Sequence, residues 1–554
     1  MKNFKKVASL LALVQALTLG ASLASCKKNV DSESGLDIYV ANFGYGYEWV
    51  DDQIEAFKQL DWVKEKYPEL TVSVRHNSER SYAMTEITSG ATTFDLLFAC
   101  ESASAYIAKT NGSDLNYFEN LSGVYDSEVP NEGVKVKDKM NDSIYNFQGI
   151  VLDETVGKEY YTMPWVNGCM GLMYNKTIIK QVMGESYVMP RTTSELVSLA
   201  ETLDANDKTV FISSSSSGYW MQMFLTWWSQ YEGDNYLNYW QGLNEYGEQN
   251  SSILSQAGRL RGLQTLESLI HKELGYNHEL VSGMDFTTAQ TNFLNGEGVI
   301  MPNGDWLENE MRSNAEYLDA YDITFMQMPV ISSIVEKLSI WEEGAITDPV
   351  TQGYNTLSAD KKSAYDNKLS LIVAEVDKGS DLETARTNTG IATLTANDLQ
   401  LVEKARKTIY SVEGHDVVVP AYAKGKEIAK DFLRYLATDE AINLFMKTTG
   451  GVSSPYEYDV KTKDATLYES FSLIQKEKIR MVENGYMLTP FTGYRLYYYG
   501  GLTPFVATSS VEVAFTADYS ADRKSAYNIY KDDIDYYTKN NGLEWNNLLN
   551  RAGL

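Results

Sequence analysis

Two periods organise the apolar positions of the chain. Leu36 to Ala41 (Leu-Asp-Ile-Tyr-Val-Ala) is a short apolar run that reads as a strand, and Val50 to Lys66 places Ile54, Phe57, Leu60 and Val63 at helical spacing. Thr71 to Val74 reads as a second strand and Phe94 to Ala99 as a third, more deeply buried one. Strands alternating with helices predict an α/β lobe with a mostly parallel sheet. In such sheets a ligand sits beyond the carboxyl ends of the strands. That rule points to Asn42 and Tyr45 after the first strand and to Glu101 and Ser102 after the third.

The first residues follow a different pattern. Lys2, Lys5 and Lys6 precede an apolar stretch from Val7 to Gly20, which is too short for a comfortable membrane span. The stretch ends at Leu23-Ala24-Ser25-Cys26, which resembles the lipobox of bacterial lipoproteins. Residues 1–25 are therefore expected to be a lipoprotein signal peptide, Cys26 a lipidated cysteine holding the protein to the outer face of the cell membrane, and residues 26–35 a polar tether. No later run approaches a membrane span. Cys100 and Cys169 are the remaining cysteines, and a disulfide between them and two buried thiols are both open readings.

Composition narrows the class. A chain of 554 residues exceeds what one core can organise, so at least two compact lobes are expected. Its 75 acidic residues against 48 basic ones leave a net charge of −27, which repels nucleic acid and anionic membrane surfaces. The sequence contains no Walker A loop, dinucleotide fingerprint, Gly-x-Ser-x-Gly elbow or zinc-protease motif, and it has only four histidines. No enzyme activity, metal or cofactor is expected.

Four stretches in order carry a family likeness: the Pro164 to Lys176 crossover, a proline turn and helix at Pro190, the Gly296 to Trp306 segment, and helices over Ala423 to Phe445 backed by Gly450-Gly451. Together they resemble the extracellular solute-binding proteins of ABC importers, in particular the carbohydrate-binding family that includes the maltose-binding proteins. The resemblance implies an α/β, two-lobed periplasmic-binding-protein-like fold of type II, with lobes interleaved through hinge crossings and a solute in the cleft. It implies crossings near Trp165 to Met170, Met328-Pro329 and Gly450 to Pro455. Lobe 1 is then 36–165 with 330–450, including a helical insertion at about 331–410, and lobe 2 is 166–329 with 451–554. It also implies a monomer whose partner is an ABC permease.

A sugar has apolar faces and a rim of hydroxyls, so its site needs aromatic plates and a few convergent polar groups. Trp306 matches a position where the family places a stacking aromatic, with Asp305 beside it as a hydroxyl acceptor. Trp165 and Asn167 lie in the first crossover. Tyr219 and Trp220 follow a strand-like Val210 to Ile212, although Trp227 and Trp228 extend the same pattern as a helix stripe. Arg495 stands among tyrosines (Tyr494, Tyr497, Tyr498, Tyr499) and could close the cleft. His415 precedes a strand, which puts it at the end away from the cleft by the carboxyl-end rule, yet the family sometimes uses that loop. Two other classes stay open: a surface glycoside hydrolase or lyase acting through paired carboxylates, and an adhesin or sensor of the same fold.

Overall fold

The computed structural model describes residues 32–42, 44–77, 82–98, 103–153, 155–215, 218–233, 254–314, 318, 320–411, 415–488, 496–502 and 511–554. Cys26, Cys100, Glu101, Ser102 and Arg495 lie outside them.

Two five-stranded sheets organise these residues. The first runs in the order Thr71–Asn77, Gly35–Ala41, Leu96–Phe98, Asp416–Val418, Met163–Pro164. Its first three strands are parallel, with Val40 opposite both His76 and Phe98. Every residue of Gly35–Ala41 is buried, as expected when helices cover both faces of a parallel strand. The other two strands are antiparallel to their neighbours, so the sheet is parallel on one side only. The single helix expected over 50–66 is two, Glu48–Gln59 and Asp61–Lys66, because Leu60 between them takes an extended backbone and Asp61 starts a new first turn. The two consecutive helices expected over Ala423 to Phe445 are Lys426–Leu436 and Asp439–Thr449, where the Thr438 hydroxyl caps the second helix by accepting from the Ala441 amide.

The second sheet runs Tyr486–Leu488, Thr408–Ser411, Cys169–Asn175, Ile300–Gly304, with Ile323–Met326 also paired to Cys169–Asn175. The chain crosses from the first sheet to the second between Pro164 and Cys169, as the sequence suggests. It does not return near Met328-Pro329. Both Ile323–Met326 and Thr408–Ser411 belong to the second sheet, and the next strand of the first is Asp416–Val418, so the return lies between Ser411 and Asp416. The segment from 330 to 411 accordingly stays with the second body rather than the first.

Buried polar contacts hold that segment there. The Thr193 hydroxyl donates to Ser332 Oγ at 3.1 Å, the Arg406 guanidinium donates to the Met328 carbonyl at 3.0 Å, and Gln230 donates to the carbonyl of Ala405 at 2.9 Å. Helix Ala257–Ile270 supplies two fully buried arginines. Arg261 pairs with Glu336 at 2.9 Å and donates to the carbonyls of Pro349 and Gln352. Arg259 pairs with Asp533, which docks the last helical segment, Ala526–Ala552, onto the same helix. That segment is two helices joined through left-handed Asn540, Asn541 and Gly542. Its end reaches the first body, since Arg551 Nε donates to the Gly500 carbonyl while Tyr499 packs 6.0 Å from Tyr106 and under Lys109.

Among the described residues no helix is long and apolar enough to cross a membrane. Removing one partner of a buried ion pair leaves an uncompensated charge, typically costing about 3–5 kcal/mol. Asp533→Ala should therefore lower the stability of the chain by that order in urea unfolding, whereas Asp535→Ala, at an exposed pair with Lys531, should change it by less than about 1 kcal/mol.

Candidate functional site

The two bodies meet where the carboxyl end of Gly35–Ala41 faces the carboxyl end of Ile300–Gly304. Tyr45 comes from the first and Asp305 and Trp306 from the second. The Tyr45 hydroxyl donates to Asp305 Oδ1 at 2.9 Å, a direct hydrogen bond between bodies with both side chains buried. Burial, and then the Asp305 charge, push the phenol well above its ordinary pKa, so it stays a donor at any physiological pH. Trp165 and Trp306 each present an edge-on ring 6.1 Å from Tyr45, and Tyr219 stands 6.1 Å from Trp306.

Asp305 is the hub of this contact. Besides Tyr45 it takes the Cys169 amide at 3.4 Å and pairs with Lys478 at 3.3 Å, all of them buried. Lys478 donates onward to the Gly451 carbonyl at 3.1 Å and Ser453 Oγ at 2.8 Å, which ties the carboxylate to the segment after helix Asp439–Thr449. Gln475, one helical turn earlier, donates to the Asp305 carbonyl at 2.9 Å and to Glu308 Oε2 at 3.1 Å. Two glycines make the approach possible. A Cβ on Gly168 would lie 1.9 Å from the Tyr45 hydroxyl oxygen, and one on Gly304 would lie 2.1 Å from the Trp306 ring.

Of the nine candidate residues within the described part of the chain, six come together here and three go elsewhere. Tyr45, Trp165, Tyr219, Asp305 and Trp306 share the seam. His415 joins them, its ring 5.7 Å from both Tyr45 and Trp165. The carboxyl-end rule misplaces it because Asp416–Val418 runs antiparallel to Leu96–Phe98, so the start of one strand lies beside the end of the other. Asn42 is exposed and accepts from the Gly44 amide. Trp220 is buried inside the second body, its indole donating to Ser213 Oγ at 3.2 Å. Asn167 lines a cavity on the hinge. Cys169 is a free buried thiol whose pKa burial raises. Sequence reading misses Lys478 and Gln475, because a lysine in the charged helix Leu473–Glu483 has the signature of a solvated face.

Residues 45–333 match the family described as bacterial extracellular solute-binding protein. The chain belongs to this family. No curated protein matches its sequence. Among solved structures, a chitin oligosaccharide binding protein superposes with a TM-score of 0.53 at 14% identity, covering 91% of this chain and 99% of that one. The apo form of RafE from Streptococcus pneumoniae gives 0.50 at 13% identity, covering 94% and 97%. At such identities the likeness is one of fold.

In this solute-binding protein a second buried carboxyl group supports the aromatic wall from behind. Glu512 accepts from the Trp220 amide at 3.4 Å, at the start of helix Tyr219–Glu232, and burial raises its pKa to about 8. An unfolded glutamic acid titrates near 4.3. The folded state therefore holds a proton that the unfolded state has lost, and the associated stability is complete at low pH and lost as pH rises toward 8. Glu512→Gln should raise the melting temperature at pH 8, with the gain fading as the pH falls to about 4.5. Each pH unit in that window is worth up to about 1.4 kcal/mol.

Proposed function

We propose that the protein is a cell-surface lipoprotein, anchored through Cys26, that captures a carbohydrate between its two bodies and delivers it to an ABC permease. The observation that carries the sugar assignment is the seam itself: aromatic rings of Trp165, Trp306 and Tyr219 around a carboxylate and a phenol that meet from opposite bodies. Such a set offers faces for C–H surfaces and an acceptor and donor for hydroxyls. The structural likeness to a chitin oligosaccharide binding protein supports the same reading.

The mechanism is a population shift. The Tyr45 to Asp305 bond links the two bodies directly. A sugar that accepts from Tyr45 and donates to Asp305 would replace that single link with several, and its differential affinity for the closed form moves the equilibrium. The permease would then recognise the closed form.

Titration of the tethered body, residues 27–554, with a panel of glycans should produce a saturable change in tryptophan fluorescence and a rise in melting temperature for at least one of them. Trp306→Ala should weaken that binding by about tenfold or more, equal to about 1.4 kcal/mol. A response to peptides or metal ions with none to glycans would remove the sugar assignment. In cells, Cys26→Ala should release the protein to the medium, and continued membrane retention would count against lipidation.

A further inference from the structure

The last part of the chain leaves the second body and comes back to it. Strand Tyr486–Leu488 pairs with Thr408–Ser411 of the second sheet, and helix Val511–Thr516 packs on helices Tyr219–Glu232 and Ala257–Ile270 of the same body, where Glu512 accepts from the Trp220 amide. Between them the short helical turn Leu496–Gly500 lies against helix Ala103–Lys109 of the first body. The end of the chain joins it there. Arg551 donates from Nε to the Gly500 carbonyl at 2.9 Å, and a Cβ on Gly500 would lie 3.1 Å from Leu548, so residues 496–500 and 543–554 form one packed unit.

This unit has two attachments of unequal strength. Toward the second body it continues into residues 526–538, where Asp533 meets Arg259 with both side chains fully buried and the Tyr530 hydroxyl donates to the Ser255 carbonyl at 2.7 Å. Parting that pair would leave two charges without compensation in the interior. Toward the first body the contacts are half-buried. Tyr499 lies 6.0 Å from the Tyr106 ring and 4.5 Å from Lys109 Nζ, and Gly553 approaches so closely that a Cβ there would lie 2.5 Å from the Lys109 carbonyl oxygen. Ring and cation–π contacts of this kind are individually weak, so this is the end that yields first. Between the two attachments the backbone of Asn540, Asn541 and Gly542 is left-handed, with φ of 52°, 57° and 75°. Asparagine and glycine pass between left- and right-handed regions at the least cost, which makes this joint the place where the segment bends.

We propose that residues 496–500 and 543–554 are a latch that rides with the second body, grips helix Ala103–Lys109 of the first, and lets go at Tyr499 and Lys109 when the bodies separate. The bodies cannot part without losing that contact or bending the joint, so the latch weights the equilibrium between joined and separated arrangements. It rests on the arrangement of the two bodies and holds whichever solute the cleft takes.

Electron paramagnetic resonance distance measurements on the body, residues 27–554, test this. Spin labels carried by unnatural amino acids at exposed Glu65 of the first body and Lys208 of the second read the separation and leave the native cysteines untouched. Tyr499→Ala, acting from the latch, and Lys109→Ala, acting from the first body, should each enlarge a longer-distance population by about threefold or more. Tyr527→Ala, at an exposed position on the pinned half, should leave the distribution as in the wild type. Two variants from different bodies keep the test decisive if one fails to fold. An unchanged distribution in a folded variant of either kind, or an equal change in Tyr527→Ala, would overturn the proposal. Glycan titration of the same proteins separates the two readings: shifted distances with no glycan response remove only the sugar assignment, and glycan binding with unchanged distances removes only the latch.

Discussion

A carboxylate with no exposure to water needs compensating partners, and in this protein those of Asp305, two hydrogen-bond donors and one ion-pair partner, come from three separate parts of the chain. Tyr45 arrives from the first body, the Cys169 amide from the first crossing, and Lys478 from helix Leu473–Glu483. The desolvation penalty of such a group exceeds several kcal/mol unless all of its partners are in place. That single requirement couples the arrangement of the two bodies to the arrangement of the hinge. Lys478 carries the constraint further, since it donates to the Gly451 carbonyl and Ser453 Oγ.

The same geometry buries the candidate sugar-binding residues. Tyr45, Trp165, Trp306 and His415 pack on one another across the seam, with ring centroids between 5.7 and 6.1 Å apart. These contacts keep the aromatic faces from water, and each ring contact is worth about 1 kcal/mol. The segment Ala526–Ala552 adds a restraint of a different kind. It is pinned to the second body by Arg259 and Asp533, and its far end reaches helix Ala103–Lys109 of the first.

The helical insertion shows how buried charge fixes where a polar segment docks. Residues 330 to 411 are polar overall, and nothing in their pattern names a partner. Their position is set by Arg261, whose guanidinium reaches Glu336 and the carbonyls of Pro349 and Gln352, and by Arg406, which reaches the carbonyls of Gln327 and Met328. A planar fork with five donors suits several carbonyls and a carboxylate at once, which a lysine could not do.

Local pattern was enough for the strands Gly35–Ala41, Thr71–Asn77 and Leu96–Phe98 and for the paired helices Lys426–Leu436 and Asp439–Thr449, because each depends on side-chain periodicity within a few residues. The strand-end rule pointed to Tyr45, whereas Asp305 and Trp306 came from the family resemblance. Tertiary structure alone decided the rest. The second crossing lies at Ser411 to Asp416 because strand pairing is non-local: Ile323–Met326 and Thr408–Ser411 are as apolar as strands of either sheet, and only their hydrogen-bond partners assign them to the second. His415 reaches the seam because its strand runs antiparallel, a direction that no residue in it encodes. Lys478 reads as a surface lysine until the fold places Asp305 beside it, since a charge can be buried only where its counter-charge already waits.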